Sequence, residues 1–505
     1  MTEIDTDVLV AGAGPTGLML ANWLTRLGVR CVLADHKPGP THESRALAVQ
    51  ARTMEIYDQL GLADRVLAGG LQITQLAPGY RRRAFGTVRI GALGEGLTPF
   101  PGLFVFEQSK NETLLTEHLA ELGGQVHWLH RLTALDSDAG GVRATLAGPD
   151  GEVTVRARYC VGTDGAGSAV RTLRGIAFDG ITNDHFFYVA DAAGVTGLVE
   201  DAVNIRPAPA DIMLTFPMGP GGHHRVIGLV RDDDGDGALT EQDVRTRLSS
   251  VFGVEYAATD WFATYRVHHR VARVFRDGPV FLAGDAAHVH SPVGAQGMNT
   301  GLQDAHNLAF KLADAVHGRA GDDWLDRYEA ERRPVALRLV RSTDRVFEAV
   351  TSESAVARLV RQRAVPVVGP VIVRTIPRIS GASRFFEYLS QIRVHYWLRP
   401  GSGGRRGRVV GRRLPWIGEN FAPLRDLTWQ VHAYGKYDKP TAQRIERELA
   451  LPVHTFGGTA GTLLREGLFY LVRPDGFVAA AATAPAAVEA FRRELPINTQ
   501  FVAST

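Results

Sequence analysis

Apolar and polar positions along the chain divide it into strands and helices with few ambiguities. Thr6 to Ala11 is an apolar run that predicts a buried strand. Gly12 to Gly17 then reads as a tight loop, Leu18 to Leu27 as a helix, and Val29 to Ala34 as a second strand ending at Asp35. Glu107 to Leu122 has helical spacing, with Leu114, Leu115, His118 and Leu119 inward. From Gln125 to Val161 apolar and polar residues alternate, broken at Asp138–Gly141 and Gly148–Gly151, which predicts a meander of strands. Further strand-like runs are Tyr159–Thr163, Phe187–Ala190, Ile212–Phe216 and Arg225–Val230. Thr240 to Phe252 predicts a helix with Thr240 as its cap. Val280 to Ala283 is another buried strand, followed by a Gly-rich loop and then by Leu302, Ala305, Ala309, Leu312 and Ala313 at helical spacing. Helices dominate from Asp322 to Val360. After Gly401–Gly404, which reads as a linker, Leu463–Val472 and Phe477–Ala481 predict strands and Ala486–Leu495 a helix. Residues 71–102 read as irregular, and no internal repeat is evident.

With 505 residues, two or three domains are expected. The net charge of +2 argues against a dedicated nucleic-acid binder. Arg81–Arg83 and the cluster Arg405, Arg406, Arg408, Arg412 and Arg413 read as solvated loops. Cys31 and Cys160 each sit in an apolar run and read as small core residues, so there is no disulfide framework, which fits a reducing cytoplasm. No signal peptide or membrane-spanning run is expected. The acidic stretch 232–237 resembles a calcium loop but lacks the glutamate and flanking helices, so it reads as a solvent loop and no metal site is expected.

The chemistry lies in three motifs. Gly12-x-Gly14-x-x-Gly17, between a strand and a helix and followed by Asp35, is the pattern of a dinucleotide-binding βαβ unit. Its glycines permit the turn, the approach of a pyrophosphate and close helix–strand packing, and the carboxylate accepts from a ribose hydroxyl; the competing reading is a structural turn. Asp164-Gly165 ends a strand and, alone, reads as a plain turn. Gly284-Asp285 places a carboxylate at the end of a strand, before a loop with Pro292, Gly294 and Gly297 and a helix N-terminus, a setting for a polar or anionic group.

In this order the three motifs resemble the class A flavoprotein monooxygenases, the p-hydroxybenzoate hydroxylase-like family. Val410-Gly-Arg-Arg-Leu-Pro415 and Arg473-Pro-Asp-Gly476 resemble the thioredoxin-like appendage of the phenol hydroxylase and aromatic polyketide hydroxylase branch, without its Cys-x-x-Cys. The resemblance implies an α/β chain: a Rossmann-like FAD-binding domain in two parts (1–180 and 269–400), an inserted β-rich substrate domain (181–268), and a thioredoxin-like domain (405–505). Residues 76–100 are open to either of the first two domains. It further implies that Gly12, Gly14, Pro15, Thr16 and Gly17 hold the FAD pyrophosphate with Arg45, that Asp35 holds the adenosine ribose, and that Gln108, Gly284 and Asp285 hold the ribityl chain. Pro292, Gly297, Met298 and Asn299 would line the isoalloxazine, and Asp164 would serve flavin and nicotinamide alike. The helix beginning near Thr300 would point its positive end at the flavin and favour the reduced form. Ala295 departs from the second glycine of many relatives.

The family chemistry implied is reduction by NADH or NADPH, reaction with dioxygen, and transfer of oxygen from a flavin C4a-hydroperoxide to a phenolic or polycyclic ring. Phe187, Phe216, Met218 and Arg225 are pocket candidates that serve equally well as strand core. No general base is assigned, and His288 and His290 read as packing or hydrogen-bonding residues. Epoxidation and Baeyer–Villiger insertion use the same cofactor chemistry and remain alternatives. A flavin halogenase is disfavoured by the lack of Trp-x-Trp-x-Ile-Pro, and a non-catalytic flavin-dependent binder is the alternative of another class.

Overall fold

The computed structural model of the chain describes residues 2–41, 46–138, 140–209, 211–219, 221–231, 239–291, 295–351, 360–375, 382–396, 409–459 and 461–496. Arg45, the acidic stretch 232–237, Pro292, Gly294, Gly401–Gly404, Arg405, Arg406 and Arg408 lie outside the described residues.

An eight-stranded sheet carries the sequence motifs. Its centre is β1 (Thr2–Ala11), parallel to β2 (Cys31–Ala34) on one side and to β3 (Gly151–Gly162) on the other. The strands Arg131–Asp138 and Gly141–Gly148 extend β3 as the antiparallel meander that the alternation predicts. The apolar run at 280 also joins: Val280–Leu282 pairs in parallel with the end of β3. The register aligns Ala11 with Ala34 and Gly162, and Gly162 with Leu282. Four strands from distant parts of the chain therefore end on one edge, where ligands of open parallel sheets bind.

Helix α1 (Pro15–Arg26) starts directly after the first glycine loop, three residues earlier than the apolar spacing marks. Pro15 is tolerated there because its missing N–H would be unpaired in any case. It packs against a 20-residue helix, Gly297–Val316, which is buried from Asn299 to Ala315. Trp23 sits between His306 and Phe310, at ring-centroid distances of 5.0 and 5.4 Å.

A second, nine-stranded sheet stands over that edge. It contains β4 (Phe178–Ala193), β5 (Ala202–Pro207), β6 (Ile212–Gly219), β7 (His223–Arg231) and β8 (Ala258–Ala272). Residues 71–102 are more regular than expected: Gln75–Tyr80 pairs in parallel with β5, and Val88–Arg89 and Arg83–Ala84 pair with it in turn. Strand alternation sorts the two faces. Phe187, Val189, Phe216, Ile227 and Leu229 share one core with Leu47, Ile73, Leu103 and Val105. Tyr188, Ala192, Met213 and Val226 face the other way, under Val244 and Leu248. The helix there runs Glu241–Arg247, capped by Thr240, whose hydroxyl accepts from the Asp243 amide at 3.2 Å; its continuation Leu248–Phe252 widens to a π-turn. The two sheets meet where His288–Val289 pairs with Arg270–Val271.

The C-terminal part is a four-stranded sheet in the order Val453–Phe456, Gln430–Tyr434, Leu468–Val472, Val478–Thr483, with helices Lys439–Leu449 and Ala487–Arg492 in its core, a thioredoxin-like arrangement. It is tied to the rest by buried charge. Arg473 reaches Glu331 through two bonds of 2.6 and 2.9 Å and also pairs with Asp475, while Lys311 meets Glu331 at 2.9 Å. Arg52 donates to the Asp475 carbonyl at 2.7 Å. Arg413 departs from the solvated loop expected of it: it is buried and donates to Glu55 at 3.2 Å and to the Leu97 carbonyl at 2.8 Å, because a guanidinium taken out of water must find acceptors. Both cysteines are free thiols, and His118 is packed as expected, its Nδ1 2.7 Å from Asn22 Oδ1.

Glu331→Leu leaves Lys311 without its carboxylate and Arg473 with one partner fewer inside the protein, and should cost about 3–5 kcal/mol in denaturant unfolding. Breaking the exposed Arg444–Glu448 pair should leave the midpoint unmoved. Acid should also destabilise the fold. Burial pushes His432 down to about 3 and His290 to about 4, and holds His306 well below the ordinary imidazole range. These rings are neutral when folded and protonate near 6.5 when unfolded, so the unfolded chain binds more protons below that pH. Their contribution is fully present above pH 6.5 and is lost as pH falls toward 4, which a series of thermal melts with FAD in excess will read.

Candidate active site

Each loop of the site leaves the sheet edge for a stated reason. Gly12 has φ +106°, and a Cβ there would lie 2.5 Å from the Thr163 carbonyl oxygen, so only glycine lets β1 turn beside β3. At Gly17 a Cβ would collide with the Gly12 carbonyl, so the helix can approach the strand only without a side chain. A Cβ on Gly14 would meet nothing within 4 Å, because this residue opens onto a cavity. The Asp35 carboxylate, buried at the end of β2, accepts from the Ala13 amide at 2.6 Å and the Lys37 amide at 2.9 Å. This clamps the glycine loop to the second strand and leaves acceptor capacity over, since a carboxylate offers about four lone pairs.

The Gly284–Ala286 turn is held from behind. Asp304, fully buried in the Gly297–Val316 helix, accepts from the Gly284 amide at 3.1 Å and from His288 Nε2 at 2.7 Å. Its other oxygen takes Arg332 Nε at 2.6 Å, and Arg332 also donates to the Thr300 carbonyl and the Tyr396 hydroxyl, each at 3.1 Å. Burial pushes the Asp304 carboxyl up, but Arg332 and His288 outweigh it and hold the group below the usual carboxylate range.

These loops open onto one cavity of about 720 Å³. Its wall includes Gly12, Gly14, Pro15, Thr16, Asp35, Gln108 and Arg131, then Asp164, Asp285, Gly297 and Met298, and an apolar, aromatic group of Phe187, Leu214, Phe216, Ile227 and Tyr265. Gln296, Gly297 and Met298 bring the positive end of the 20-residue helix to its wall. Asp164 takes the Val170 amide on Oδ2 at 3.1 Å, while its buried Oδ1 has no partner among the described residues. Burial pushes this carboxyl up. An orphaned carboxylate oxygen, a glycine cradle and a helix N-terminus on one cavity fit a dinucleotide with hydroxyl donors and a pyrophosphate.

Several expected residues sit elsewhere. Gly17 and Gly284 shape their loops without lining the cavity. Asn299 does not line it either: its Oδ1 accepts from the Gln50 amide at 2.8 Å, and its Nδ2 donates to the Ala48 and Ala295 carbonyls at 2.8 and 3.0 Å. A fully buried amide must be satisfied, and backbone groups satisfy it here. Phe187 and Phe216 line the aromatic end, but Met218 packs into the sheet core and Arg225 is held by Asp191 through two bonds of 2.6 Å, away from the lining. Ala295 takes φ +52°, the left-handed conformation that glycine adopts without strain. Sequence reading missed Leu214, Ile227, Tyr265 and the exposed Arg266 and His268 at this end. Leu214 was open to discovery, since it stands two positions from Phe216 and so on the same strand face.

Residues 5–343 match the model of a family described as an FAD binding domain. The chain belongs to this FAD-binding family. Among curated proteins it is 37% identical over 350 residues to a 12-dehydrotetracycline 5-monooxygenase/anhydrotetracycline 6-monooxygenase of Streptomyces rimosus, covering 67% of this chain and 68% of that one. It is 32% identical over 500 residues, 94% of each chain, to a rifampicin monooxygenase of Streptomyces venezuelae. Among solved structures, an anhydrotetracycline hydroxylase from Streptomyces rimosus superposes with a TM-score of 0.77 at 30% identity, over 98% of this chain and 99% of that one. This FAD-dependent monooxygenase is therefore of the aromatic and polyketide hydroxylase group. No helix among the described residues is long and apolar enough to cross a membrane, and no cluster of metal-binding side chains occurs among them.

Gly12→Ala should strain the first turn by about 2 kcal/mol and cut flavin retention. The check is the flavin content of purified protein, read from its yellow absorbance, alongside a thermal melt.

Proposed function

We propose that this monooxygenase uses NADH or NADPH and dioxygen to hydroxylate a phenolic or polycyclic aromatic molecule held at the Phe187–Tyr265 end of the cavity. One observation supports this most: the glycine cradle, the Gly297 helix terminus and the aromatic side chains all line a single cavity. The relatives named above are, by their names, monooxygenases of dehydrotetracycline, anhydrotetracycline and rifampicin, which supports a substrate of that size in a cavity of about 720 Å³.

FAD, when bound, supplies hydride acceptance and dioxygen activation. The chain supplies the rest. Gly12, Gly14, Pro15 and Thr16 would receive the pyrophosphate, with Gly17 packing behind them. Asp35 would accept from the adenosine ribose, and Gln108 and Asp285 from the ribityl hydroxyls. Gly297 and Met298 would border the ring system, with Gly284 and Asn299 bracing this wall. The amides at the start of the Gly297–Val316 helix stabilise negative charge that develops beside them. Asp164, on the same cavity wall, would serve flavin and nicotinamide alike. Phe187, Leu214, Phe216 and Ile227 exclude water from the ring being oxidised.

Purified protein with FAD should oxidise NADH or NADPH several-fold faster when a fitting phenol is added, with a product one oxygen atom heavier by mass. No stimulation across a panel from monocyclic to tetracyclic phenols would defeat the proposal. Asp285→Ala should lose FAD or slow its reduction, measured by flavin content and stopped-flow bleaching; unchanged occupancy and kinetics would remove Asp285 from this role.

A further inference from the structure

His290 carries a preset acceptor that the proposed reaction leaves unused. Its Nδ1 is 2.8 Å from the Ser291 carbonyl oxygen. A carbonyl can only accept, so Nδ1 bears the proton and Nε2 presents a lone pair. That Nε2 is buried and has no hydrogen-bond partner among the described residues. The ring lines the cavity with Phe187, Phe216, Tyr265 and Gly297, and its Nε2 is 3.7 Å from where a Cβ on Gly297 would stand. The acceptor therefore lies at the junction of the helix terminus and the aromatic slot. Burial, with His288 and His269 beside it, pushes the imidazole down to about 4, so it stays neutral at physiological pH.

We propose that His290 Nε2 accepts a hydrogen bond from a free hydroxyl of the aromatic substrate, which binds as the neutral hydroxyarene and not as its anion. The wall around this acceptor is apolar and aromatic: Phe187 and Tyr265 stack at 6.0 Å with 16° between their planes, and Leu214, Phe216 and Ile227 complete it. A flat ring system fills such a slot, and one hydroxyl fixes its register against the Gly297 end. An unmade hydrogen bond to a buried acceptor is expensive, so the residue selects for a donor at that position and against its alkyl ether. A lone pair also repels an anionic oxygen, so the substrate's proton remains on it on binding. Arg266 and His268 are exposed at this end of the cavity and meet the more polar rim of the same molecule.

The inference rests on the hydroxylase reading for its substrate class, and its test separates the two. Oxidised, FAD-loaded protein is titrated with 2-naphthol and with 2-methoxynaphthalene, following the flavin absorbance change. The naphthol should bind about tenfold more tightly. That preference should vanish in His290→Phe and persist in His290→Gln, whose amide oxygen can accept in place of Nε2. Equal binding of the two probes to the unmodified protein overturns the inference, as does a preference that survives in His290→Phe, or a yellow protein that binds neither probe. If His290→Phe purifies without flavin, the unmodified protein and His290→Gln decide: loss of the preference in Gln with flavin retained counts against the acceptor role. Binding needs no turnover, so a His290-dependent preference without any oxygenated product leaves this inference standing and removes the hydroxylase reading instead.

Discussion

One buried carboxylate sets the geometry on which the cavity depends. Asp304 holds the Gly284 amide, His288 and Arg332 at once, and Arg332 holds Thr300 of the same helix. A charge without solvent is tolerable only when fully paired, so this arrangement allows little play. It locks the Gly284–Asp285 turn to the helix that begins at Gly297, and so fixes the distance between a carboxylate and a helix N-terminus on the cavity wall.

The same chain segment links the two sheets. The chain leaves the parallel sheet at Leu282, turns through Gly284–Ala286 and enters the second sheet at His288. Within ten residues it delivers both Asp285 and His290 to the cavity wall. Sheet register supplies the remainder: because Ala11, Ala34, Gly162 and Leu282 end side by side, loops over 100 residues apart in sequence share a wall.

The thioredoxin-like part takes part in this rigidity from the far side. Arg473 and Asp475 reach Glu331 and Asn307, and Glu331 and Arg332 are neighbours on one helix, Asp326–Thr351. Arg332 in turn braces Asp304. The Arg473-Pro-Asp-Gly476 motif, which in sequence carries part of the resemblance to the thioredoxin-like appendage, thus props the helix that supports the site, and no cysteine chemistry is needed for that role.

What the sequence alone determined is local. Gly12, Gly17 and Asp35 were legible because a positive φ, a close helix–strand contact and a strand-end carboxylate each need one residue type at one spacing. Strand and helix identity followed from periodicity for the same reason, and the thioredoxin-like segment was visible in its turn motif. Tertiary structure alone decided which side chains face the cavity. Phe216 and Met218 share a strand face, yet only the first lines it; Asn299 sits in the helix's first turn, yet its amide is consumed by Ala48 and Gln50; Arg225 is drawn to Asp191. The short pairings of 75–78 with β5, and of 83–84 and 88–89 with the 75–80 strand, which periodicity left as irregular chain, exist only because a sheet edge was there to meet them. Hydrogen-bond demand and burial are satisfied by partners hundreds of residues away, and no local pattern encodes who those partners are.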